Sequence, residues 1–160
     1  MGKSTIAKKI SDKLNIPHYD LDNIFWTKFN KKRSEKAREI KFKELCNKKK
    51  WIIEGAYSTW IEYGIKKADL IVLLKIPMIS LLWRITKRSI KREKQKNLGE
   101  ERYQQNFKDY IQLIKVTLKY YTRNDGRGYL KHKELIEKSK VNFIILKTNR
   151  EINDFIKNIS

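Results

Sequence analysis

Three short apolar runs set the terms on which this chain can fold: Trp51-Ile52-Ile53 closing on Glu54-Gly55, Leu70-Ile71-Val72-Leu73-Leu74, and Val141-Asn142-Phe143-Ile144-Ile145-Leu146. They are near-continuous rather than alternating, which is the pattern of parallel strands covered on both faces. A further strand is predicted over Ile16 to Leu21, where Asn15 and Pro17 interrupt a helix carrying Ile6, Ala7, Ile10 and Leu14 at helical spacing. The stretches between strands read as helices. Asn23 to Lys50 is predicted as one basic helix with an imperfect apolar face of Ala37, Ile40, Phe42 and Leu45, and Ser58 to Lys67 as a helical turn. A very basic helix starts at Ile79, after Pro77. A long amphipathic one carries Tyr103, Phe107, Tyr110, Ile111, Ile114, Leu118 and Tyr121 and stops at Asn124-Asp125-Gly126; its aromatic stripe is expected to be core. Helices over Tyr129 to Ser139 and Glu151 to Ile159 flank the last strand. Strands alternating with helices predict an α/β domain whose sheet is parallel and covered on both faces.

At 160 residues the length suits one domain, 1–160, and 40% hydrophobic residues place it among globular proteins. The formal net charge of +20 suits a polyanionic partner, nucleic acid above all. Most of the excess is dispersed lysine, however, and a biased codon supply produces the same composition. A lone Cys46 excludes an internal disulfide and a multi-cysteine zinc site, and no signal peptide opens the chain. The apolar stretch from Asp69 to Ile85 is broken by Lys75 and Pro77 and falls short of the ~20 residues of a spanning helix. A cytoplasmic protein is expected.

The chemistry begins at Gly2-Lys3-Ser4-Thr5, which matches the second half of a phosphate-binding loop, G-x-x-x-x-G-K-[ST]. In that pattern backbone N–H groups cradle phosphates, the lysine neutralises the terminal ones, and the next hydroxyl sits on Mg²⁺. The competing local reading makes Ser4 an ordinary helix cap and Lys3 a solvated side chain. Asp20 and Asp22 close the strand before them, where ligands bind in open α/β sheets. Asp22 is the candidate for orienting an acceptor, and Asp20 is expected to cap the next helix. Glu54 closes its own strand and can hold the water shell of a Mg²⁺ bound to nucleotide phosphates. His18 is expected to be structural. Arg84, Lys87, Arg88, Lys91 and Arg92 form a cationic stripe on the basic helix. Arg84 and Arg88 are its candidate phosphate contacts, and the region about 84–105 is a candidate lid, with the apolar-poor stretch Glu93 to Gln105 as its hinge.

Several segments together resemble the small P-loop kinases related to adenylate kinase, above all the bacterial family labelled DNA topology modulation protein. They are Gly2-Lys3-Ser4-Thr5, Pro17-His18-Tyr19-Asp20-Leu21-Asp22 with Trp26, Trp51 to Ser58, Ala68-Asp69 with Pro77, Leu82-Trp83-Arg84 with Lys87-Arg88, and Phe143 to Leu146. The resemblance implies a P-loop NTPase fold with a five-stranded parallel sheet and a helical lid. It also implies ATP and Mg²⁺ as cofactors (Gly2, Lys3, Ser4 and Thr5 on the nucleotide, Ser4 and Glu54 toward the metal), a small phosphoryl acceptor near Asp22, and Lys3, Arg84 and Arg88 at the transferring phosphoryl. Similar sequences usually carry Asp in place of Glu54, Asn in place of Ala56 and Asp in place of Lys75. The expected activity is an ATP-dependent phosphotransferase of the nucleoside or nucleotide kinase type; the alternative is a basic nucleic-acid-binding protein with little or no kinase activity. The first glycine of the loop and the strand feeding it are absent from the sequence, so the functional protein is expected to begin about ten residues upstream. The chain from Met1 is accordingly expected to lack the central strand and to bind ATP weakly.

Overall fold

The computed structural model describes residues 2–27, 31–96, 107–122 and 128–159, without the side chains of 88–96, 107–110, 113, 117 and 121–122. The chain divides into two compact units, one of residues 1–75 with 131–160 and one of residues 76–130. The first unit is mixed α/β. In chain order it contains α1 (Lys3–Leu14), β1 (His18–Asp20), α2 (Asp22–Phe25), α3 (Glu35–Cys46), β2 (Ile52–Glu54), α4 (Glu62–Lys67) and β3 (Ile71–Leu74). The second unit contributes α5 (Met78–Lys96) and α6 (Phe107–Thr122), which pack on one another. α7 (Tyr129–Ser139) then returns the chain to the first unit, which ends with β4 (Phe143–Leu146) and α8 (Asn149–Asn158).

The strands of the first unit are all parallel, in two separate pairs. β1 lies beside β2 with His18 opposite Ile52, Tyr19 opposite Ile53 and Asp20 opposite Glu54. β3 lies beside β4 with Ile71 opposite Phe143 and Leu74 opposite Leu146. The apolar runs therefore become parallel strands, as their lack of alternation requires. They form two two-stranded sheets instead of one.

Local chemistry explains where the helices begin and end. α1 stops at Asn15, whose left-handed backbone (φ 52°) returns its N–H to the Ser11 carbonyl. α8 opens on a capping arrangement in which Thr148 accepts from the Glu151 N–H at 3.1 Å and the Glu151 carboxylate accepts from the Lys147 N–H at 2.8 Å. It starts two residues earlier than the sequence pattern indicates. The stretch Asn23 to Lys50 is not one helix but two. Trp26 turns extended after α2 and forms an isolated antiparallel bridge with Lys32, and the Ser34 hydroxyl then caps α3 through the Ala37 N–H.

The core around β1 and β2 is built by Leu21, Ile24, Phe42, Leu45 and Cys46, with Tyr19, Trp51, Ile53, Tyr57 and Trp60 packed against it. On α1, Ile6, Ala7 and Ile10 are buried, as their spacing requires, and Ile152 of α8 is wholly enclosed. α1 packs on β1, β2 and α8, and the Lys13 ammonium donates to the carbonyls of Ile156 and Lys157 at the end of α8.

In the second unit α5 continues through Lys96, so the first residues of the expected hinge, Glu93 to Lys96, are regular helix; its remainder lies outside the described residues. So does the expected stop at Asn124-Asp125-Gly126. Ile111 and Ile114 of the amphipathic helix are half-buried, and Leu118 is exposed.

Candidate functional site

α1 begins without a side-chain cap. Gly2 stands at the cap position in extended conformation, and no side chain accepts from the first-turn amides, which leaves their N–H groups directed outward from an exposed helix end. The Ser4 hydroxyl does not serve its own helix. It donates to Glu54 Oε1 at 2.6 Å, across fifty residues of sequence. This overturns the reading of Ser4 as an ordinary cap and joins the two side chains picked out for Mg²⁺. Lys3 and Thr5 flank Ser4 on the same exposed turn.

The parallel register then places Asp20 beside Glu54 at the carboxyl ends of β1 and β2. Asp20 Oδ1 accepts from the Asp22 N–H at 2.8 Å, a local turn that satisfies the first amide of α2, whose cap position is Leu21. Asp22 Oδ1 accepts from the Tyr57 hydroxyl at 2.7 Å and is otherwise exposed. One carboxylate oxygen of Asp22 is thus fixed and the other is open.

Tyr57 is the residue that sequence reasoning missed. Its ring stacks on Phe25 at 5.1 Å and leans on Trp60 at 5.1 Å. Its carbonyl lies 2.9 Å from His132 Nε2, which fastens the loop after β2 to α7. Burial first, then the hydrogen bond to Asp22 and the negative charges of Asp22 and Asp20, push its phenol far above the ordinary tyrosine range, against a pull from Arg38. The same causes favour the protonated phenol that donates to Asp22. The Arg38 guanidinium sits 4.8 Å over the Phe25 ring and 5.7 Å from the Trp60 ring centre. The signal available in the sequence was the segment Trp51 to Ser58, which contains Tyr57, but no spacing rule ties that tyrosine to Asp22.

The glycine after Glu54 has a packing reason. A side chain at Gly55 would meet Leu21 Cδ1 at 2.7 Å and Leu21 Cβ at 2.8 Å, so only glycine lets β2 close against the core residue between Asp20 and Asp22.

The donor set fits Mg²⁺. Ser4 Oγ and Glu54 Oε1 are hard oxygen donors, few in number, the kind that an ion keeping most of its water takes. Among the described residues no three His, Cys, Asp or Glu side chains converge as a cage for a metal. Arg84 is half-buried in α5 of the second unit, and the Arg88 side chain lies outside those described. His18 is half-buried, and its Nε2 lacks a hydrogen-bond partner among the described residues. An open depression of about 390 Å³ is lined by Ser11, Asp12, Asn15, Ile16 and Pro17. It lies at the opposite end of α1 from Ser4 and contains none of the candidate residues. No helix among the described residues is long and apolar enough to cross a membrane.

The chain matches no family model and no solved structure. It is 35% identical over 109 residues to the uncharacterized protein YqaC of Bacillus subtilis (strain 168). That alignment covers 66% of this chain and 61% of the relative, so the chain spans less than two thirds of that protein's length.

Proposed function

We propose that this chain is an ATP-dependent phosphotransferase of the nucleoside or nucleotide kinase type, with a P-loop NTPase architecture and a cytoplasmic location. The observation that carries the reading is the 2.6 Å hydrogen bond between Ser4 and Glu54. The phosphate-loop hydroxyl and a carboxylate at a strand end, chosen separately for one metal, meet in space.

In this reading the first-turn amides of α1 and the Lys3 ammonium hold the phosphates of ATP, and Ser4 with Glu54 would hold a Mg²⁺, which would supply charge shielding there. Asp22, its Oδ1 fixed by Tyr57, uses its second oxygen to orient the hydroxyl or phosphate of a small acceptor. The acceptor oxygen forms a bond to the γ-phosphorus as the bond to the β-phosphate oxygen breaks, ADP leaves, and the proton of a hydroxyl acceptor passes to the open oxygen of Asp22 and on to water. The resemblance assigns Arg84 and Arg88 to the transferring phosphoryl.

The test is transfer of labelled phosphate from ATP to a panel of nucleosides and nucleoside monophosphates, with ATP binding followed by calorimetry. Lys3→Ala is expected to lower binding or transfer by at least tenfold while the thermal unfolding curve stays in place, because the side chain is exposed and supplies a charge-assisted contact. Transfer that is unchanged in Lys3→Ala, or absent with every acceptor and without ATP binding in the wild type, overturns the reading.

A further inference from the structure

Asp22 is exposed, and an exposed carboxylate turns freely unless something holds it. One of its oxygens is held by the Tyr57 hydroxyl at 2.7 Å, so the place of the carboxylate depends on where the loop after β2 carries Tyr57. Residues 55–61 of that loop belong to no helix or strand, and no sheet ladder fixes their backbone. The Tyr57 ring is seated against Phe25 and Trp60. Its main chain is fastened by His132, whose Nε2 lies 2.9 Å from the Tyr57 carbonyl oxygen. A carbonyl only accepts, so Nε2 carries the proton and donates. His132 is 7% exposed, the one buried polar or charged side chain among the described residues, and Ile136, one turn further along α7, is buried as well. A leucine would serve the packing of that helix face; the imidazole adds a donor held in a fixed direction.

We propose that His132 is a positioning residue of the acceptor site: it holds the Tyr57 main chain, Tyr57 holds one oxygen of Asp22, and Asp22 thereby presents its other oxygen to the acceptor in a fixed direction. The inference rests on the reading of Asp22 as the residue that orients the acceptor. Its basis is a series of two directed hydrogen bonds that runs from a buried helix face to an exposed carboxylate, 110 residues away in sequence from His132 to Asp22. His132 acts on the reaction only through Tyr57. A misplacement of about 1 Å at a reacting group costs on the order of a hundredfold in rate, so a loosened loop has a large effect on transfer. The nucleotide contacts assigned to α1 do not pass through Tyr57 or His132. Loosening the loop therefore lowers turnover and leaves ATP affinity in place.

The first measurement needs no activity. With tyrosine carbon-labelled at Cζ and the Tyr57 signal assigned from Tyr57→Phe, NMR follows the phenol between about pH 9 and 11, the range in which an ordinary tyrosine ionises. Tyr57 of the wild type is expected to stay protonated there, because burial and then the bond to Asp22 oppose its ionisation. His132→Leu is expected to lower its midpoint by about one pH unit or more, as the loop loosens and the phenol leaves Asp22. His132→Gln, whose amide nitrogen reaches the place of Nε2, is expected to restore the wild-type behaviour. His132→Asn places its amide at Nδ1 instead; it is expected to behave as His132→Leu and replaces it if the leucine variant does not fold. The second measurement is transfer of labelled phosphate from ATP. His132→Leu is expected to lower kcat by roughly tenfold or more with ATP affinity changed less than about threefold, and to lower kcat less than about threefold when added to Tyr57→Phe. A role in folding alone costs the same in both backgrounds. The proposal is overturned by a Tyr57 that ionises alike in the wild type and His132→Leu, by His132→Gln behaving as His132→Leu, or by equal loss of kcat in the two backgrounds. Absence of transfer with every acceptor overturns the kinase reading and with it the role in the reaction, while the phenol titration separately decides whether His132 holds Tyr57 on Asp22.

Discussion

A serine in the first turn of a helix usually finds its acceptor or donor within that turn, and losing such a cap costs about 1 kcal/mol. Ser4 gives its hydroxyl to Glu54 instead, so the helix does not depend on it. Ser4→Ala is therefore expected to leave thermal stability unchanged or slightly raised, because alanine is the better helix former by about 0.5 kcal/mol. Affinity for ATP with Mg²⁺ is expected to fall at least tenfold, read by calorimetry. A destabilised variant that binds normally would return Ser4 to the role of a cap. Cys46 shows the opposite kind of residue, fixed by packing and without chemistry. It is buried under α4, and burial pushes its thiol up to about 11, against a pull from Lys67. An unfolded cysteine loses its proton near pH ~8.5. Between that pH and the folded value the unfolded state holds fewer protons, so the thiol's stabilising contribution is complete below the window and is lost as pH rises through it. Urea unfolding is expected to show wild-type stability falling faster with pH across this range than that of Cys46→Ala, by at most about 1.4 kcal/mol per pH unit. Parallel slopes would refute the assignment.

The contact between α3 and α4 turns on a single hydrogen atom. A Cβ at Gly64 would lie 2.6 Å from Phe42 Cζ and 3.0 Å from Cys46 Sγ, and both neighbours are buried. Alanine gains about 1 kcal/mol of helix propensity over glycine, but overpacking costs roughly 1–3 kcal/mol. Gly64→Ala is expected to destabilise by up to about 2 kcal/mol in denaturant unfolding, and a stabilised variant would show that the ring can move aside. The periodic elements were legible in the sequence: α1, α5, α7 and α8, with all four strands, lie where apolar spacing put them, within a few residues. The segment between β1 and β2 was not, because lysines dilute its apolar face and the break depends on the Ser34 cap and the Trp26–Lys32 bridge. The site was legible in the same uneven way. Ser4 and Glu54 could be paired because a loop motif and a strand end each assign a role to one metal. Tyr57 could not, because its bond to Asp22 joins the start of α2 to a loop 35 residues further on. Such a contact follows from tertiary packing and leaves no local pattern.

At the scale of the molecule the open question is the edges of the two strand pairs. Parallel strands this apolar are normally covered by neighbours on both sides, and a free edge invites pairing with another chain. Backbone bonding alternates along each ladder, so the occupied amides can be told from the open ones. The N–H groups of Ile52 and Leu21 are donated to Pro17 and Glu54, which turns the N–H and C=O of Ile53 to the outer edge of β2. The N–H groups of Ile71 and Lys75 are donated to Asn142 and Leu146, which turns those of Val72 and Leu74 outward from β3. A net charge of +20 opposes self-association through such edges by repulsion. It does nothing to supply the missing hydrogen bonds. Amide hydrogen exchange is therefore expected to separate neighbours within one strand: Leu21, Ile52, Ile71 and Lys75 protected, Ile53, Val72 and Leu74 exchanging within about tenfold of unstructured rates. Equal protection of Ile53 and Val72 in dilute protein would mean that a further strand lies on these edges and that the two pairs belong to one sheet. Protection that grows with concentration would mean that the strand comes from another copy of the chain.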